Sequence, residues 1–104
     1  MKEDIKKLDK VIHEKARLGI MVVLATNNGA TFNYLKKELN ITDGNLNSHL
    51  KVLEKEGYIK VIKKFVKRRP QTTYKITSKG RKKFLEYITS LEEIIKEIRK
   101  ERIK

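Results

Sequence analysis

The side chains best equipped to do chemistry in this chain are nitrogen-rich or cationic, and they fall in two neighbouring stretches. Within Thr42 to Gly57, the residues Asn45, Asn47, Ser48 and Lys51 are interleaved with Leu46, Leu50 and Leu53. Leucines at that spacing line one face of a helix, so the amide, hydroxyl and ammonium groups belong to the other face and its flanks. Asn carries both a donor and an acceptor, the pattern that reads adenine edges, while Ser and Lys reach either a base or a phosphate oxygen. Local capping of the helix start is the competing role for both asparagines. His49 falls toward the apolar flank, where a packed, hydrogen-bonded ring is expected.

Thr42 is placed to cap this helix, Asp43 sits in the first turn where the dipole favours an acid, and Gly57 supplies a left-handed stop. The free amides of Asp43 and Gly44 beside Thr42 then form an anion site suited to phosphate. The second stretch holds Lys63, Lys64, Lys67, Arg68 and Arg69, candidates for phosphate contacts, with arginines that suit a narrow minor groove. Thr72 and Thr73 could add hydroxyl contacts, although β propensity explains them equally well.

Charge sharpens this reading. Of the formal +13, residues 1–57 contribute +2 (ten Lys/Arg against eight Asp/Glu), residues 58–83 contribute +11 (eleven against none), and residues 84–104 contribute zero (five against five). A solvated basic face would scatter its charge. Concentration directly behind a polar helix points to a polyanionic partner.

The elements that must position these groups can be read in order. Residues 4–26 are helical in pattern, with one stripe of Ile5, Leu8 and Ile12, another of Ala16, Ile20, Val23 and Leu24, and room for a break near His13 and Glu14. Asn27-Asn28-Gly29 is a loop, and Thr31 caps a short helix over Phe32–Leu39. Two short helices joined by about three residues form a helix-turn-helix pattern. After Gly57 the period becomes alternating, giving strands over 58–66 and 71–76 with Lys67-Arg68-Arg69-Pro70 as the turn. Tyr58 and Tyr74 are expected to pack this hairpin on the helices.

A last helix runs from about Ser78 to residue 104, where Phe84, Ile88, Leu91, Ile95 and Ile98 repeat at spacings of four and three. A 104-residue chain cannot cover that stripe along its whole length, so a partner helix from a second copy is expected beyond Leu91, aided by Ile5, Leu8 and Ile12. Between Phe84 and Leu91, packing on the chain's own core competes with that role.

Several classes are excluded or disfavoured. There is no cysteine, hence no disulfide scaffold and no thiolate metal site. The two histidines show no ligand spacing, there is no glycine-rich phosphate loop, and Glu92-Glu93 have no convergent partner, so neither a metal, a cofactor nor an enzyme is expected. No apolar run reaches membrane-spanning length, which points to a soluble, cytoplasmic protein. The fold class is mainly α with a small β-hairpin.

The order of elements, with Leu46 to Ile59 inside it, resembles the winged helix-turn-helix transcriptional regulators of the MarR and ArsR type. The likeness runs through Leu8–Glu14, Thr42–Ile59 and Lys63–Arg81, written LDKVIHE, TDGNLxxHLxxLExxGYI and KxFxxRRPxTxYxxTxxGR. It departs at Lys15, where the family often has proline, leaving the helix entry there less sharply defined. The resemblance implies one winged-helix domain, with the helix-turn-helix near 31–57, the wing near 58–77 and a dimer helix near 78–104. It also implies a homodimer on double-stranded DNA that controls transcription, an effector remaining unspecified. Dimerisation and polyanion binding follow from the residues as well; transcription control rests on the resemblance. A sequence-tolerant architectural DNA binder or an RNA-associated winged helix fits the wing charge equally, and a protein-interaction module is the remaining class.

Overall fold

The computed structural model describes residues 2–103, with side chains through residue 100. Five helices and a three-stranded antiparallel sheet follow in the order α1 (Lys2–Lys6), α2 (Lys15–Thr26), β1 (Ala30–Thr31), α3 (Phe32–Leu39), α4 (Asp43–Glu56), β2 (Ile59–Val66), β3 (Arg69–Ile76) and α5 (Ser78–Ile103). Lys104, included in the expected last helix, lies outside the described residues.

The amino-terminal region is two helices rather than one. Between α1 and α2, the Asp9 carboxylate accepts from the backbone N–H groups of Val11 and Ile12 at 2.8 and 3.1 Å, an alternative to helix that short acidic side chains offer. The second helix starts at Lys15 because Glu14 is its N-cap, accepting from Arg17 N at 2.8 Å. Position 15 is thus the first helical residue, where proline would also fit, and the entry is sharply defined by Glu14 instead.

The core joins Ile12, Ile20, Met21, Leu24, Leu35, Leu46, Leu50, Leu53, Tyr58, Ile59, Tyr74, Phe84 and Tyr87. Each fully buried leucine contributes roughly 1.5–3 kcal/mol relative to exposure. Tyr58 and Tyr74 are buried here, as their place in the strands predicts. The strand order is β1-β3-β2, and β1, which pairs Ala30 with Tyr74 and Thr31 with Thr73, is an addition to the expected hairpin. A two-residue strand has no period to detect; it forms because the α3 cap holds Thr31 in extended backbone.

The helix α5 spans 26 residues, about 39 Å at helical rise. With α1 packed beside its first half, its far end extends the molecule to 62 × 25 × 21 Å. The radius of gyration is 16.0 Å, against about 13 Å for a compact chain of this length. Two residues assigned to an intermolecular stripe belong to the interior. Ile12 is fully enclosed and Phe84 is only 7% exposed, so neither has surface to offer a partner. Leu8, Ile88 and Leu91 are partly buried against the same core, whereas Ile5, Ile95 and Ile98 are exposed.

Candidate nucleic-acid interface

The helix α4 is held at both ends and along its inner face. Thr42 Oγ1 accepts from Asn45 N at 3.2 Å, satisfying a first-turn donor, and Lys36 on α3 pairs with Asp43 at 2.7 Å across the turn between the two helices. Leu46, Leu50 and Leu53 are buried. Arg17 on α2 donates to Val11 O at 2.6 Å and to His49 Nδ1 at 3.1 Å. Glu14 lies 3.6 Å from the same ring nitrogen, so His49 is held between the Arg17 guanidinium and the Glu14 carboxylate. Although burial raises the Glu14 pKa, the Arg17 amide and the charges around it outweigh this and keep the carboxyl below its ordinary value. His49 is therefore a packing and positioning residue, as its flank position suggests.

At the other end Gly57 takes the left-handed conformation, φ 82°, that stops the helix. Thr77 Oγ1 donates to Gly57 O at 2.6 Å, and Lys79 Nζ donates to Glu56 O at 2.8 Å while lying 5.6 Å from the centre of the Tyr58 ring. The carboxy-terminal end of α4 is thereby tied to the start of α5. In the sequence Lys79 falls in the basic run and in the first turn of the last helix, and nothing marks it, Arg17 or Asp9 as an anchor; an ammonium on a helix end and a guanidinium bridging two helices leave no periodic trace.

What α4 leaves outside between Asp43 and Lys51 is polar, with Val52 exposed beyond it. Gly44, Asn45, Asn47, Ser48 and Lys51 are all exposed, and a methyl group built on Gly44 would meet only open space. Among the described residues the Asn45 and Asn47 side chains take no hydrogen-bond partner, since Thr42 supplies the cap. Their donors and acceptors are free.

The hairpin is longer and tighter than expected. Arg69 and Pro70 lie in β3, opposite Val66 and Phe65, and the turn is Lys67-Arg68 alone. Both have positive φ, 52° and 66°, the conformation of a two-residue hairpin turn whose twist matches that of the strands. Proline sits at position 70 without disrupting the core because this part of the sheet is a projecting edge.

Alternation along the strands divides the cationic residues between two faces. Ile59, Val61, Tyr74 and Ile76 face the core, and their continuation outward carries Lys63 paired with Thr72 and Phe65 paired with Pro70. Lys64, Gln71, Val66 and Arg69 occupy the opposite face. A cleft between the wing and α3 is lined by Thr31, Asn33, Arg69 and Gln71 among others. Of the eleven cations in 58–83, seven (Lys60, Lys63, Lys64, Lys67, Arg68, Arg69, Lys75) are in the hairpin and four (Lys79, Arg81, Lys82, Lys83) begin α5.

Residues 16–95 match the family model described as a winged helix DNA-binding domain. This chain belongs to that family. The winged-helix chain is 42% identical over 89 residues to an uncharacterised protein of Methanocaldococcus jannaschii, covering 86% of this chain and 97% of that protein. It is also similar to the solved structure of a transcriptional regulator homologue from Pyrococcus horikoshii OT3, with TM-score 0.85 and 35% identity over 92% of this chain and 97% of the other. A transcriptional regulator assigned to the MarR family, from Enterococcus faecalis V583, shares the fold at TM-score 0.76 and 21% identity, over 98% and 91% of the two chains. The family is one of DNA-binding domains. Among the described residues, no helix of the winged-helix chain is long and apolar enough to cross a membrane.

Proposed function

We propose that this winged-helix chain is a sequence-specific transcriptional regulator that binds duplex DNA as a homodimer in the cytoplasm. The helix α4 enters the major groove, where Asn45, Asn47, Ser48 and Lys51 meet base edges and phosphates while Thr42 and Gly44 approach the backbone. Lys63, Lys64, Lys67, Arg68, Arg69 and Thr72 follow the backbone toward the adjacent minor groove. The observation that carries this reading is the free polar face of α4 beside a hairpin with seven cations and no acid. Groups that satisfy nothing within the chain, set next to a phosphate-binding surface, suit readout of base edges.

The dimer is supported by Ile95 and Ile98, 45% and 49% exposed on a helix that outruns its own domain, with Ile5 at its side. Selection of bound sites from random duplex DNA tests the whole reading at once. A palindromic site with half-sites about one DNA turn apart, 34–36 Å, is expected. Equal retention of random duplex, selected duplex and RNA at fixed physiological salt would replace it with a sequence-tolerant binder.

A further inference from the structure

We propose that Phe65 is an apolar wedge that the wing inserts into the minor groove, unstacking a base step and bending the duplex. This rests on the reading of α4 and the wing as a duplex-binding surface and goes beyond it, because binding to phosphates does not by itself require that a base step be opened. Phe65 is 76% exposed, more than any other large apolar side chain among the described residues. An aromatic ring left in water on a projecting edge forgoes the stabilisation that burial gives. Its surroundings specify what buries it.

Phe65 stands on the wing between Lys63, Lys64, Lys67 and Arg68, in a segment without one acidic residue. The partner must therefore be polyanionic outside and apolar within. Duplex DNA has that profile, with phosphates bordering a stack of bases. An anionic bilayer shares it in part, but Phe65 lies on the same side of the sheet as α4, whose outer asparagines and serine gain nothing from lipid.

Reach and stiffness agree with this role. From Ile59, where β2 leaves the core, six residues of strand carry Phe65 about 20 Å outward. Half a DNA turn, the step from a major groove to the next minor groove, is about 17 Å. The ring is backed by Pro70 in the facing strand, whose fixed φ stiffens the hairpin, and by a two-residue turn that sets the register. Lys63 and Thr72, the next pair on the same face, are placed for the flanking phosphates. A wedge needs this combination of exposed apolar tip, rigid support and adjacent cations.

The test uses the full chain and A·T-rich 30-base-pair duplexes with a single 2-aminopurine walked through successive positions, and the same duplex labelled at its ends for energy transfer. The unaltered chain is expected to raise 2-aminopurine fluorescence at one base step per bound protomer and to shorten the end-to-end distance. Phe65→Ala should bind about tenfold more weakly, with its salt slope unchanged and both signals lost. Phe65→Leu should retain part of each. Thermal melting of Phe65→Ala should stay close to that of the unaltered chain, because the side chain lies outside the core. Binding with unperturbed fluorescence and length, or identical signals from Phe65→Ala, overturns the wedge and leaves the duplex-binding reading intact. Failure to bind the duplex at all removes both. Phe65-dependent binding to phosphatidylserine vesicles without any duplex signal assigns the ring to a lipid surface and also overturns the wedge.

Discussion

Gly80 in the first turn of α5 lies directly against the Tyr58 carbonyl: a Cβ built on Gly80 falls inside contact distance of that oxygen and 2.8 Å from its carbon. The same carbonyl accepts from Thr77 N at 3.0 Å, so backbone is pressed on backbone where α4, β2 and α5 meet. Neither partner can turn aside as a flexible side chain would. Gly80→Ala is expected to cost about 1–3 kcal/mol or more, read as a lower denaturant midpoint with little change in slope. An unchanged midpoint would show that this junction yields.

Gly44 is the opposite case. It sits in the first turn of α4 with open space where a side chain would go. Gly44→Ala should stabilise the fold by about 0.5–1 kcal/mol through helix propensity while weakening duplex binding, if the bare backbone is there for a phosphate to approach. Gains in both stability and affinity would remove Gly44 from the interface.

The wing turn places a lysine and an arginine where Asn-Gly would be preferred, since both backbones are left-handed. Replacing them together, Lys67→Asn with Arg68→Gly, should stiffen the hairpin and lower the salt dependence of DNA binding. Arg68→Ala with Arg69→Ala should reduce the log–log salt slope by about two. A slope that stays constant would take the tip off the DNA.

Burial first, then the Asp9 hydrogen bond and nearby carboxylates, raise the Tyr58 phenol above its ordinary 10.0, and burial raises Tyr74 and Tyr87 in the same direction. The folded chain holds these protons more tightly than the unfolded chain. Their contribution to stability is therefore complete below pH 10 and is lost as pH climbs through the folded-state values. Melting temperature should be flat from neutral pH up to about 10 and fall above it. Tyr58→Phe should shallow that alkaline fall, though it leaves Asp9 without its phenol partner and lowers stability at neutral pH.

For the dimer, Ile95→Glu with Ile98→Glu alters side chains 45% and 49% exposed and spares the core. Light scattering is expected to give a dimer for the unaltered chain and a monomer for the variant. A persisting dimer would move the interface to Ile5 and the α1 face.

Much of this architecture is legible from local signals. Thr31, Thr42 and Gly57 mark helix ends because capping chemistry acts within a few residues, and Leu46, Leu50 and Leu53 mark a buried face because the helix repeats. The site face of α4 follows by subtraction. What escapes is whatever depends on distant partners or on competing local bonds. Asp9 breaks a helix that the apolar stripe supports, and Ile12 and Phe84 look like interface residues until the core closes over them. The two-residue turn, which brings Arg69 and Pro70 into β3 opposite Val66 and Phe65, is also hidden, because Lys67 and Arg68 hold the left-handed backbone that Asn-Gly would have announced.

The sheet order β1-β3-β2 leaves β2 as an outer strand, with one row of its N–H and C=O groups unpaired. Such an edge invites another strand to add on, and Lys60, Lys63 and Lys64 along it are the charges that discourage this. The positive wing thus also protects the chain from self-association into sheets. Variants stripped of those lysines lose that protection when no polyanion is present, so their solubility has to be followed alongside their affinity.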